Sequence, residues 1–240
     1  MTYSSADRGV WPAVPRLPLT VLLCSLAAAC GNTDTDASGL GIGDGPDSWL
    51  YVQTTVATPD GRTSYLQLVE DLDFDQLDTA QAIELAGNGR VFSNGSRLFT
   101  GSAEEPTIQR WLPQPDGSLA PGERVSFANI GLSFVPFGNN FVAADKAYLF
   151  DGNAYRAVMW DPDRIELAGE IDLSAVAKDG LLPDIDPGVL RGDKLFALVQ
   201  QNDFASTNLF RGLQVVIIDT LSDTVEAVIE DTRCVGGFAG

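Results

Sequence analysis

Residues Arg90 to Phe99 read Arg-Val-Phe-Ser-Asn-Gly-Ser-Arg-Leu-Phe. Two apolar runs flank Asn94-Gly95, a pair that accepts positive φ at both central turn positions and so matches the twist of antiparallel strands. The spacing predicts a β-hairpin. The plan returns at Phe141 to Phe150, Phe-Val-Ala-Ala-Asp-Lys-Ala-Tyr-Leu-Phe, and at Val189 to Ala197, Val-Leu-Arg-Gly-Asp-Lys-Leu-Phe-Ala. A fainter copy of its second strand is Trp49 to Val52. A Leu-aromatic pair marks each copy, at 50/51, 98/99, 149/150 and 195/196, in steps of 48, 51 and 46 residues.

Each hairpin is followed by a strand, a turn and a further strand. After the pair at 98/99 come Thr107 to Leu112, Pro115-Asp116-Gly117 and Arg124 to Phe127. After 149/150 come Tyr155 to Trp160, Asp161-Pro162-Asp163 and Leu167 to Leu173. After 195/196 come Leu213 to Asp219, Ser222-Asp223 and Thr224 to Glu230. The first copy has Trp49 to Val56, Pro59-Asp60-Gly61 and Ser64 to Val69, with no clear strand before Trp49. Four strands per period of 45 to 50 residues is the pattern of a β-propeller, in which small twisted sheets bury their faces on their neighbours. The expected fold class is all-β: about four four-stranded antiparallel blades, spanning roughly 48–89, 90–138, 139–187 and 188–240. The tail from Arg233 to Gly240 holds three glycines and makes a poor closing strand, so the blades read as part of a larger propeller; closure of a four-bladed ring by that tail is the other possibility. Helical sequence is scarce, with one turn expected at Ser174 to Lys178 and a short helix at Leu77 to Leu85. The segment Gln200 to Gly212 reads as an insertion, either a loop or an extended hairpin.

The chain of 240 residues is 45% hydrophobic, with 24 glycines and 13 prolines, a composition suited to a turn-rich β protein. Net charge is −18, and residues 1–30 contribute +1, so the remainder carries −19. Such a domain repels phosphate backbones, which excludes nucleic acid as a partner. Histidine is absent, which removes the usual general base and every His-dependent triad. Of three cysteines only Cys234 lies outside the first 30 residues, so no disulfide framework forms within the chain.

Leu17 to Ala29 is an apolar run of 13 residues behind Arg8 and Arg16, too short to span a bilayer and ending in small residues. Residues 1–29 are therefore expected to be a signal peptide. Leu26-Ala27-Ala28-Ala29-Cys30-Gly31 resembles the lipobox of bacterial lipoproteins, although Ala27 stands where that family usually has leucine. The resemblance implies that Cys30 is diacylated, becomes the first mature residue and attaches the chain to membrane lipid. Residues 30–47 are rich in Gly, Asn, Thr, Asp and Ser and read as a flexible tether.

Asp71-Leu72-Asp73-Phe74-Asp75 invites a calcium reading, but Gln76 and Ala82 occupy the places where an EF-hand loop needs glycine and a carboxylate. A looser metal site from Asp71, Asp73, Asp75 and Asp78 is the remaining metal candidate, against a solvated acidic loop. Asp161-Pro162-Asp163 and Asp184-Ile185-Asp186 read first as turns, with paired-carboxylate chemistry as the alternative. Trp111 and Trp160 occupy equivalent repeat positions, which points to packing between blades. Asn94-Gly95-Ser96 matches a glycosylation pattern but reads as turn chemistry. No catalytic residue and no cofactor is expected.

The strand pattern of Trp49 to Gly240 resembles secreted bacterial propeller lipoproteins with seven or eight blades, myxobacterial members in particular, some of them encoded beside siderophore and outer-membrane uptake genes. The resemblance implies a lipid-anchored, extracytoplasmic protein of the bacterial cell envelope, in the outer membrane. It implies a module that binds a protein or small ligand, accessory to uptake. A metal- or carboxylate-dependent hydrolase or lyase working in the propeller channel is the alternative.

Overall fold

The computed structural model describes residues 25–29, 49–58, 61–69, 82–95, 97–136, 139–203 and 210–231. These form seventeen strands and three single 3-10 turns. The strands assemble into four antiparallel sheets that follow the chain. The first sheet contains β1 (Ser25–Ala29), β2 (Trp49–Thr58), β3 (Gly61–Val69) and β4 (Ile83–Leu85). The second contains β5 (Gly89–Asn94), β6 (Arg97–Ser102), β7 (Thr107–Pro113) and β8 (Leu119–Ser126). The third contains β9 (Asn139–Ala143), β10 (Lys146–Asp151), β11 (Arg156–Asp161) and β12 (Glu166–Asp172). The fourth contains β13 (Leu182–Ile185), β14 (Val189–Arg191), β15 (Lys194–Asn202), β16 (Phe210–Asp219) and β17 (Thr224–Asp231). This is an all-β, blade-like architecture of the propeller type.

The hairpins form where turn chemistry allows them. Asn94 pairs with Arg97 across Gly95 at φ 59°. Ala143 pairs with Lys146, and Arg191 with Lys194 across Gly192 at φ 61°. Aligned on these turns, Arg97, Lys146 and Lys194 are equivalent, in steps of 49 and 48 residues. The third Leu-aromatic pair, Leu149-Phe150, therefore lies two residues past the true equivalents, Ala147-Tyr148. A slip of two preserves the facing of every side chain, so the pattern alone could not reveal it. Trp111 faces Leu98 and Trp160 faces Ala147, so the two tryptophans are equivalent as expected.

Several boundaries differ from expectation. Leu182–Ile185 hydrogen-bonds to β15, so the fourth sheet begins before residue 188. Its inner strand is split into β13 and β14 around Pro187, which has no N–H for the ladder. The first sheet does have a strand before Trp49: Ser25–Ala29 pairs with Trp49–Gln53. In the span where a helix was expected, Ile83–Leu85 is strand, recruited by Ser64–Leu66; residues 77–81 lie outside the described residues. Ser174–Val176 makes the single turn foreseen there. The insertion is a hairpin extension, since Asn202 pairs with Phe210.

Three apolar layers hold the sheets together. Tyr51, Leu66, Leu85 and Leu98 pack between the first and second. Phe99, Ile108, Phe127, Val135, Leu149 and Trp160 fill the space between the second and third. Tyr148, Phe150, Ile171, Leu195, Val199 and Ile218 lie between the third and fourth. Trp160 is fully buried, with its ring edge-on to Phe99 at a centroid distance of 5.4 Å, and its Nε1–H donates to Asn139 Oδ1 at 3.1 Å. Among the described residues no cluster joins the fourth sheet to the first.

Candidate functional site

Polar latches fix the angle at which each sheet meets the next, and that angle shapes the clefts between them. Arg97, just past its hairpin turn, crosses to the third sheet and donates to Ala144 O and to Asp163 Oδ1, both at 2.7 Å. Lys146, its equivalent one sheet on, crosses to the fourth and donates to Thr220 O at 2.9 Å and to both oxygens of Asp223 at 2.9 and 3.0 Å. The buried Tyr148 adds its hydroxyl to Asp223 Oδ1 at 2.5 Å. Burial, and then the hydrogen bond and charge of Asp223, hold the Tyr148 phenol well above its ordinary range.

The carboxylates that receive these latches sit in turns built by other carboxylates. Asp161 Oδ1 accepts from the N–H of Asp163 at 2.7 Å and of Arg164 at 3.0 Å. Asp219 Oδ1 accepts from Leu221 and Ser222, both at 2.9 Å. Asp161 and Asp163 are thus a turn former and a latch, with turn chemistry as the sequence suggested.

The cleft of interest opens between the third and fourth sheets at their inner ends. It holds about 230 Å³, and an adjoining hollow holds about 160 Å³. Phe134, Pro136, Leu182 and Ile185 supply apolar walls, while Asp184, Asn153 and Asn202 supply polar groups. Gly152 allows the two sheets to approach here: a Cβ at that position would lie 2.0 Å from Pro183 O. Asn202 is buried, and its side-chain oxygen has no hydrogen-bond partner. The neighbouring Gln201 is wholly buried and leaves Oε1 without a partner, although its Nε2 donates to Gln214 Oε1 and Val176 O. Buried acceptors without a donor are costly, so this end of the fourth sheet carries unsatisfied acceptor capacity beside an open space.

Asp184 and Asp186, paired in sequence, stay within electrostatic reach but have different surroundings. Asp186 accepts from Gln200 Nε2 at 2.7 Å, while Asp184 borders the cleft. Burial, and then the charge of Asp186, raise the Asp184 carboxyl above its usual range, with Arg90 opposing. Arg90 reaches in from the second sheet. It is buried, donates to Val135 O, and has its guanidinium 6.0 Å from the centre of the Phe134 ring. Burial brings Arg90 down to about 10, and Asp184 partly offsets that. In the adjoining hollow Arg156 is committed to structure, with Asp151 at 3.1 Å, Glu170 at 2.7 Å and Ile130 O at 2.6 Å.

Asp71, Asp73, Asp75 and Asp78, together with Cys30 and Cys234, lie outside the described residues. Among the described residues no three His, Cys, Asp or Glu side chains come together in a metal-binding group. Asn202 was missed by sequence reasoning. A polar residue ending a long apolar strand was the available signal, but it becomes meaningful only once β13 is known to pair there. Among the described residues no helix is long and apolar enough to cross a membrane.

No protein-family model matches the chain, and no curated protein matches it. Solved structures with some likeness exist. Glutaminyl cyclase of Myxococcus xanthus is 17% identical, with 76% of this chain and 67% of that one covered and a TM-score of 0.42. The dihydro-heme d1 dehydrogenase NirN, solved in complex with DHE, is 13% identical over 77% of this chain and 36% of its own, with a TM-score of 0.45. A nidogen/laminin complex contains a chain 15% identical, matched over 78% of this chain and 61% of that one, with a TM-score of 0.43.

Proposed function

We propose that the chain is a binding module of a bacterial cell envelope, tethered to the outer membrane through a diacylated Cys30 and accessory to uptake across it. The observation that supports a binding role is the inter-sheet cleft, where Asp184 and the buried acceptor of Asn202 meet apolar walls. That lining suits a small molecule with an apolar body and an N–H donor. An ammonium group is such a donor, and the strong negative charge of the domain raises the local concentration of cations. Cys30 and the tether supply the location; the cleft supplies the binding.

The two halves are tested separately. Mass spectrometry of membrane-extracted protein should find a diacylated Cys30 at the mature N-terminus, a processing step that removes β1 (Ser25–Ala29) from the first sheet, and Cys30→Ala should move the protein to the soluble fraction. A Cys30→Ala protein that stays membrane-bound with normal processing refutes the anchor. For the cleft, calorimetric titration with phenethylammonium should give saturable binding that weakens at least tenfold in Asp184→Asn and is absent with neutral phenylethanol. Equal binding by the parent and Asp184→Asn refutes the cleft as the site.

A further inference from the structure

Two Asn-Gly pairs occur in the sequence, Asn88-Gly89 and Asn94-Gly95. Such a pair has a chemistry of its own. With no Cβ to shield it, the glycine nitrogen can reach the side-chain carbonyl carbon of the preceding asparagine. The sequence offers both pairs equally, and the fold treats them differently.

At the first pair the nucleophile is held. The Gly89 N–H donates to Ser64 Oγ at 2.8 Å, and Gly89 O accepts from Gln53 Nε2 at 2.6 Å. Asn88 O accepts from the Ala103 N–H at 3.0 Å. Gly89 is buried, and a Cβ there would stand 3.0 Å from both Ser64 Cβ and Leu85 Cδ1. At the second pair Gly95 is exposed, and a Cβ there would meet nothing within 4 Å. Its N–H lies beyond the last ladder pair, Asn94 with Arg97, and among the described residues no acceptor takes it. The Asn94 amide is restrained by its Nδ2, which donates to Ala143 O at 3.1 Å and, at the limit of a hydrogen bond, to Ala144 O at 3.5 Å. An exposed bond of that kind slows a reaction that breaks it by at most about tenfold.

We propose that Asn94, and not Asn88, is a site at which the chain modifies itself, losing its side-chain amide and with it a contact between the second and third sheets. The Gly95 nitrogen gives its proton to solvent and attacks Asn94 Cγ. The new N–Cγ bond closes a five-membered imide. The Cγ–Nδ2 bond breaks, and the nitrogen takes a proton from solvent and leaves as ammonia. Water then opens the imide. Opening at Cγ leaves aspartate; opening at the backbone carbonyl leaves isoaspartate, with the chain running through Cγ. One water is consumed for each ammonia released, and nothing is oxidised or reduced.

Neither product keeps the donor to Ala143 O. A carboxylate replaces the amide beside a turn that already carries Asp145. Arg97 offers little compensation, because Asp163 Oδ1 and Ala144 O already engage it. Isoaspartate also lengthens the backbone at the ladder's last pair, which disturbs the register of Asn94 with Arg97.

The test incubates the full chain at about pH 8 and digests samples with trypsin at intervals. Residues 63–90 and 91–97 fall in separate peptides, so mass and retention report each asparagine by itself. In the folded chain acid should accumulate at 94 at least tenfold faster than at 88, and in concentrated urea the two rates should converge. Asn94→Gln should suppress the reaction at 94, since closure there would need a six-membered ring. The aged fraction carrying acid at 94, separated by anion exchange, should unfold at lower urea than fresh protein. Asn94→Gln protein aged alongside should keep its midpoint. Equal rates at 88 and 94 in the folded chain overturn the proposal, as does a rate at 94 more than a hundredfold below its own rate in urea. An acid fraction that unfolds together with fresh protein overturns the loss of contact.

Discussion

Replacing Asp223 by asparagine should loosen the fourth sheet from the third. Asp223 sits in the outer turn at φ 54°, a conformation asparagine tolerates, so backbone and side-chain shape are retained. The negative charge is lost. It pairs with Lys146 Nζ at 2.9 Å and receives the Tyr148 hydroxyl at 2.5 Å. The Lys146 and Asp223 side chains are 29% and 24% exposed. The pair therefore lies between exposed ion pairs, worth about 0–1 kcal/mol, and buried ones, whose breakage costs about 3–5 kcal/mol. A hydrogen bond to a charged acceptor contributes about 1.5–3 kcal/mol, and asparagine keeps part of it. The expected loss is about 2 kcal/mol, which at a urea slope of about 2 kcal/mol/M lowers the unfolding midpoint by about 1 M. Urea titrations followed by circular dichroism measure this directly. A double-mutant cycle with Lys146→Met should return a coupling of about 1 kcal/mol. An unchanged midpoint for Asp223→Asn, or strict additivity in the cycle, would refute the latch.

Three further outcomes are expected. Trp160→Ala should cost about 3–5 kcal/mol, because it empties a fully buried aromatic site; Trp160→Phe should cost about half that, and equal losses in urea titration would contradict a packing role. Gly152→Ala drives a methyl group into Pro183 O and should destabilise by at least about 2 kcal/mol, so a melting temperature equal to the parent's would show that the sheets do not approach as closely at the cleft. The Asp184 carboxyl is raised in the folded chain, so the fold holds that proton more tightly than the unfolded chain, and stability falls as pH rises above the unfolded carboxyl value of about 4. Asp184→Asn should therefore melt higher than the parent at pH 7 and equally at pH 3; a variant less stable at pH 7 would reverse the assignment.

Local chemistry was legible in the sequence. Asn94-Gly95 and Gly192 announce tight turns because few residues accept positive φ. The aspartates at 116 and 161 announce outer turns because a short carboxylate can accept N–H groups just ahead of it. The repeat of roughly 48 residues, the all-β class and the equivalence of Trp111 and Trp160 follow from such local signals repeated along the chain.

What the tertiary structure decided was whatever depends on register and on distance across sheets. A slip of two residues leaves each side chain on its original face, so only the ladder could show that Tyr148, and not Phe150, is the equivalent of Phe99. Asp163 and Asp223 look like ordinary turn residues until the neighbouring sheet brings Arg97 and Lys146 to them. The cleft joins Phe134, Asp184 and Asn202 through a strand pairing and a sheet stacking that no short window contains. The 36% exposure of Phe196 is equally silent in sequence. Phe196 is as apolar as Phe99, and only the packing of one sheet on another decides which of them meets water.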